Sequence, residues 1–165
     1  MKKTFRLLFL LPLFVLLGSV ARGSVAATLP LAELAKPGRV LMLRHAEAPG
    51  VGDPPGFRLD DCGTQRNLDD SGRRQARALG ARLANAGVAA ARVYSSQWCR
   101  CLETARLAFP KVTVEPYPAL NSFFEDRSTE SQQTREAAAR IAANVHSGRR
   151  SRRNRMYGPR SPAAR

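Results

Sequence analysis

Apolar residues recur along this chain in two rhythms. An unbroken apolar run fills Leu7–Leu17, interrupted in conformation only by Pro12. Arg39-Val40-Leu41-Met42-Leu43 is a short apolar run after the Pro37-Gly38 turn signal, and it predicts a buried strand. Asp69-Asp70-Ser71 opens a helix in which Asp69 caps free amides. Ala76, Leu79, Leu83 and Ala86 form its single apolar stripe, and Gly87 ends it. Ala91–Tyr94 predicts a second strand. Ser96 is placed to cap a helix from about Gln97 to Ala108, with Trp98, Cys101, Leu102, Ala105 and Phe109 on its inner side and Pro110 as its stop. Val112–Val114 predicts a third strand, and Thr134, Ala138, Ile141 and Val145 a third main helix. Leu29–Ala35 gives one or two helical turns, while the Gly-, Pro- and Asp-rich residues 46–66 form a long loop of the kind that usually carries function. Alternating strands and helices predict the α/β class with a mainly parallel sheet.

Charge first suggests a polyanion binder, then withdraws the suggestion. The 165 residues carry 27 basic and 13 acidic groups, a net +14. Residues 1–26 hold Lys2, Lys3, Arg6 and Arg22 without an acid, and 149–165 hold seven arginines without one. Residues 27–148 are left with sixteen basic groups against thirteen acids, so the domain surface is close to balanced. The arginine-rich end also lacks interleaved aromatics, which argues against nucleic acid as the partner.

Lys2, Lys3 and Arg6 before the apolar run, and Ser24-Val25-Ala26-Ala27 after it, read as a secretory signal peptide over residues 1–26. The run is shorter than the ~20 residues a membrane-spanning helix needs. The expected location is therefore exported, periplasmic or secreted, with no membrane attachment after cleavage. Export permits disulfides. Of Cys62, Cys99 and Cys101, the reading pairs Cys62 with either Cys99 or Cys101 and leaves one thiol over. Two histidines and a C-x-C spacing make a zinc site a weak idea, and no metal or other cofactor is expected. Residues 27–143 form the domain. From Asn144 to Arg165 the composition turns to Arg, Ser, Gly and Pro, which reads as a disordered tail.

Arg44-His45 sits where the first predicted strand ends, the place at which open α/β sheets hold ligands. Arg100 falls in the first turn of the helix after Tyr94-Ser95-Ser96. Helix N-termini attract anions, and a guanidinium there adds a two-pronged grip on phosphate oxygens. Two strand ends thus deliver Arg44, His45 and Arg100 to one crevice.

Three blocks now carry a family resemblance. Leu43-Arg44-His45-Ala46-Glu47 resembles the R-H-G/A-E signature of the histidine phosphatase (phosphoglycerate mutase-like) superfamily. Arg66–Ala76 resembles that family's loop-to-helix entry, and Tyr94–Ala105 its S-S-x-x-x-R-x-x-x-T-A block. The resemblance runs from about Val40 to about Ile141. It implies a three-layer sandwich around a mainly parallel sheet, and hydrolysis of phosphomonoesters through a phosphohistidine. His45 would be the nucleophile, with Arg44 and Arg100 holding the non-bridging oxygens. Glu125, ahead of Asp126, would be the general acid. Arg66 would either add to the phosphate's surroundings or pair with Asp60 or Asp61. The substrate would be a phosphorylated small molecule or a phosphoprotein.

The family's second catalytic histidine follows a late strand that this chain does not show. His146 follows no β-type run and reads as a frayed helix end. Arginine outnumbers lysine 23 to 4, and family-like sequence gives way abruptly after Ile141. The expectation is a truncated or frameshifted member, its sheet incomplete at the C-terminus. Two outcomes stay open at this stage: an active phosphatase, or a catalytically inactive remnant that at most binds phosphate-containing ligands.

Overall fold

The computed structural model describes residues 29–123 and 126–156. The signal peptide expected at 1–26, the candidate acid Glu125 and the tail residues 157–165 lie outside the described residues. In chain order the regular elements are α1 (Asp70–Asn85), β1 (Val93–Ser95), α2 (Cys99–Ala108), β2 (Val114–Pro116) and α3 (Glu130–Met156). Short 3-10 turns occupy Leu31–Ala35, Cys62–Thr64, Pro118–Leu120 and Arg127–Thr129. The strands pair in parallel, Val93 opposite Val114 and Ser95 opposite Pro116, with α2 as the crossover. The fold is a mixed helix and strand arrangement on a small parallel sheet, consistent with the α/β class.

α1 forms as its sequence dictates. The Asp69 carboxylate accepts the Gly72 amide at 2.7 Å, Asp70 sits at the positive helix end, and Ala76 and Leu83 are each 1% exposed. Two of its glycines set how closely it packs. A Cβ on Gly80 would collide with the Ala108 carbonyl, and one on Gly72 with the Glu47 carbonyl, both rigid backbone. α1 therefore lies tight against α2 on one side and against the residues after Leu43 on the other. Arg73 Nε donates to Glu103 Oε1 at 2.7 Å across the helix pair. Ala46, Leu68 and Ala76 make the core cluster, with Ala48 and Leu107 against it.

Several expectations are corrected. Val40–Leu43 is not a buried strand: residues 39–49 are neither helical nor paired in the sheet, and Val40, Leu41, Met42 and Leu43 are 38–62% exposed. The backbone just beyond is satisfied by side chains instead. The Ala46 amide donates to Thr104 Oγ1 at 3.0 Å and the Glu47 amide to Gln75 Oε1 at 2.8 Å. Both observed strands lie one to two residues later than predicted, and before β2 a turn closed by Val112 N–H to Phe109 O holds the chain. α2 starts at Cys99, and Ser96 does not cap it. The Gln97 amide goes to Asn121 Oδ1 at 2.8 Å and the Cys99 amide to Gln65 Oε1 at 2.9 Å, partners supplied from distant loops. α2 buries Cys99, Arg100, Thr104 and Ala108; of the apolar set read from the sequence Trp98, just ahead of the helix, is buried, while Cys101, Leu102, Ala105 and Phe109 are half-buried.

α3 runs to Met156, through residues 144–156 that composition assigned to a disordered tail. No proline interrupts Glu130–Met156, and arginine and alanine are good helix formers. α3 docks through Gln133, whose Nε2 donates to Pro118 O and Asn121 O, each at 3.0 Å. Arg140 stacks over Tyr94 and Tyr117, with its guanidinium 5.3 and 5.0 Å from the ring centres.

Candidate functional site

A cavity of about 900 Å³ opens between the 44–53 segment, the start of α2 and the inner side of α3. Arg44, His45, Arg66 and Arg100 all line it. The crevice expected from the sequence thus brings these four side chains together. A second, apolar cleft of about 360 Å³ lies between Ala119, Phe123 and α3 and has no titratable group in its lining.

α2 builds both halves of the centre. Thr104 stands one helical turn after Arg100, donates to the Arg100 carbonyl at 2.7 Å and accepts the Ala46 amide. The same side chain therefore fixes the backbone beside His45 to the helix that bears Arg100. His45 Nδ1 lies 2.7 Å from Ala46 O. A carbonyl only accepts, so Nδ1 carries the proton in the neutral ring and Nε2 keeps its lone pair. Desolvation lowers the His45 pKa below the ordinary value. The Ala46 carbonyl opposes this, and the positive charges of Arg100, Arg44 and Arg66 reinforce it. The imidazole is therefore uncharged near neutrality, the state a nucleophile requires.

The two arginines differ. Arg44 is exposed at the mouth. Arg100 is 8% exposed and held on three sides. Its Nη1 donates to Asp53 Oδ1 at 2.7 Å and to Arg66 O at 3.3 Å, and its guanidinium lies 5.7 Å from the Trp98 ring centre. Its Nε is buried without a partner. Asp53 also accepts the Arg66 amide at 2.9 Å and Trp98 Nε1–H at 2.9 Å. Burial tends to raise the Asp53 pKa, but the donors Arg100, Arg66 N–H and Trp98 outweigh it and hold the carboxyl below the usual range.

Sequence reasoning missed Asp53. The signal available was one acid in a Gly- and Pro-rich stretch, Val51-Gly52-Asp53-Pro54, with nothing local to pair it.

Arg66 lies in the cavity, yet its guanidinium is spent on the loop, donating to Ala48 O and to Gly52 O. The alternative pairing with Asp60 or Asp61 does not form, because both acids face Arg58, at 3.7 and 2.6 Å. Asp126 lines the cavity, but its Oδ1 accepts the Ser128 amide at 2.9 Å, and that bond lowers its pKa. A carboxyl so stabilised as the anion is a poor proton donor. Glu136 on α3 also lines the cavity and was not singled out from the sequence. His146 is exposed on α3, its Nδ1 2.7 Å from Ala142 O, and is not among the cavity residues.

Cys62 and Cys99 form a disulfide with Cα atoms 5.6 Å apart, and Cys101 keeps a free thiol. Of the two pairings left open by the sequence, the structure selects the first. The bridge ties the long loop to the first residue of α2, directly before Arg100. Among the described residues no group of three or more His, Cys, Asp or Glu is placed to hold a metal ion.

A family model described as the histidine phosphatase superfamily (branch 1) matches residues 40–162, well over half of the sequence. The chain belongs to the histidine phosphatase superfamily. No curated protein and no solved structure matches it. The family match spans the Arg44-His45 and Arg100 blocks and continues beyond Ile141, where the recognisable sequence blocks end. Membership supports a phosphatase-type function at the level of the family.

Proposed function

We propose that the chain hydrolyses phosphomonoesters through a phosphohistidine on His45, acting on a phosphorylated small molecule or a phosphoprotein. The observation that carries this reading is the shared cavity of Arg44, His45 and Arg100, with His45 Nδ1 turned to Ala46 O. Nε2 attacks phosphorus, and the P–O bond to the leaving alkoxide breaks. The alkoxide takes a proton from an acid on the 121–126 loop, for which Glu125 is the candidate because Asp126 is held as its anion. Water, giving a proton back to that carboxylate, then attacks the phosphorus, the P–N bond breaks, and inorganic phosphate leaves with Nε2 and the acid restored. Arg44 and Arg100 hold the non-bridging oxygens and offset the charge that develops on them, a task that needs no metal or organic cofactor.

For location we propose export to an oxidising compartment; the Cys62–Cys99 bridge supports it, since disulfides persist there. For the domain we propose the three-layer sandwich, on the strength of the parallel β1–β2 pair and its α2 crossover. Phosphate release from an aryl phosphate tests the chemistry. His45→Ala is expected to lose at least ~10³-fold in rate, and a variant as active as the unmodified chain would refute it.

One observation favours a second reading. The sequence has two histidines and the cavity holds only His45. A pocket with one histidine suits a chain that binds phosphate-containing ligands without turning them over. Phosphate binding with no release from any ester would establish that reading.

A further inference from the structure

Asp53 has no part in the chemistry above, yet it is the most heavily engaged carboxylate of the pocket. Its side chain is 6% exposed, and it receives donors from Arg100, the Arg66 amide and Trp98. We propose that Asp53 is a positioning residue, holding the Arg100 guanidinium where a phosphoryl oxygen meets it; the inference rests on the reading of this pocket as a phosphate site.

The argument is one of order. Arginine is a long side chain whose freedom must be surrendered when it grips an anion, unless the protein has already fixed it. Here Nη1 is fixed by Asp53 Oδ1 and Arg66 O, and the ring of Trp98 lies beside the guanidinium. Asp53 is fixed in turn. Arg66 donates to Gly52 O on one side of it, and the Cys62–Cys99 bridge fastens the loop to α2.

Charge alone predicts the opposite effect of removing Asp53. Deleting a carboxylate beside an anion site leaves the site more positive and should tighten binding. The sign of the change therefore separates positioning from electrostatic competition.

The test is isothermal titration of inorganic phosphate into the full chain and into Asp53→Ala, Asp53→Asn, Arg100→Ala and the Asp53→Ala/Arg100→Ala double variant. A thermal melt of each verifies that it is folded. Asp53→Ala is expected to weaken binding about tenfold or more. Asp53→Asn, which keeps an oxygen to accept from Arg100, should fall between it and the unmodified chain. The double variant should bind like Arg100→Ala alone, because Asp53 acts through that residue. Binding by Asp53→Ala as tight as the unmodified chain, or tighter, would overturn the proposal. So would single losses that multiply in the double variant. If Asp53→Ala does not fold, Asp53→Asn decides: weaker binding despite the lost negative charge supports positioning, and equal or tighter binding overturns it. An unmodified chain that binds no phosphate refutes the pocket reading itself, and the inference falls with it.

Discussion

Gly72→Ala tests how the site segment is held. A Cβ at this position would strike the Glu47 carbonyl, with the carbonyl carbon 2.9 Å and the Glu47 nitrogen 3.2 Å away. Backbone cannot swing aside as a side-chain tip can, so α1 and the 45–48 segment must separate. Overpacking of this kind costs about 1–3 kcal/mol. Separation also strains the bonds from the Ala46 amide to Thr104 and from the Glu47 amide to Gln75, each worth about 1 kcal/mol. Replacing a helical glycine by alanine returns at most about 1 kcal/mol through propensity. The net expectation is a loss of ~2–4 kcal/mol, or a drop in Tm of roughly 8–16 °C at about 4 °C per kcal/mol. Thermal unfolding followed by circular dichroism measures it. A Tm equal to or above that of the unmodified chain would show that propensity governs this position and that the close approach of α1 to Glu47 is not real.

Other consequences follow from the same geometry. Replacing Cys62 and Cys99 by serine opens a loop with a sequence separation of 37 and should cost ~4 kcal/mol, seen as a lower Tm that reductant no longer changes. Because the folded state depresses the His45 pKa, folding favours the neutral ring. That contribution is complete above the unfolded-state value and is lost as pH falls through the folded one. An NMR titration should place the His45 midpoint below that of an unfolded control, and Arg44→Ala should move it upward; an unchanged midpoint would remove the arginine charges as a cause. Glu125→Gln should slow alkyl phosphate hydrolysis far more than aryl phosphate hydrolysis, since a phenolate leaves without a proton, while Asp126→Asn should spare both. Equal losses in the two variants would end the assignment of the acid to Glu125.

The site was legible wherever chemistry and local sequence coincide. Asp69 before Asp70-Ser71-Gly72 names its own cap, and Arg44-His45 and Arg100, singled out from the sequence, line one cavity. What escaped was carried by partners far apart in sequence. Asp53 meets Arg100 across 47 residues, Thr104 meets Ala46 across 58, and Gln65 takes the Cys99 amide across 34. No local pattern announces such pairs. The run Val40–Leu43 has the composition of a buried strand, but composition does not reveal whether a neighbouring strand is there to pair with it. Apolar periodicity misread α2 because its buried residues include Arg100 and Thr104, polar side chains satisfied by Asp53 and by backbone groups. Helix geometry explains why only one of Cys99 and Cys101 meets Cys62. Residues two apart on a helix face different ways, so when Cys99 meets the loop Cys101 faces the cavity.

The most direct measurement is rapid quenching of the full chain with an aryl phosphate, followed by mass spectrometry of its peptides under alkaline handling. The account predicts an acid-labile phosphoryl group on the peptide containing His45, formed before phosphate is released and absent from His45→Ala. Phosphate release with no such adduct, or an adduct on any other residue, would contradict it.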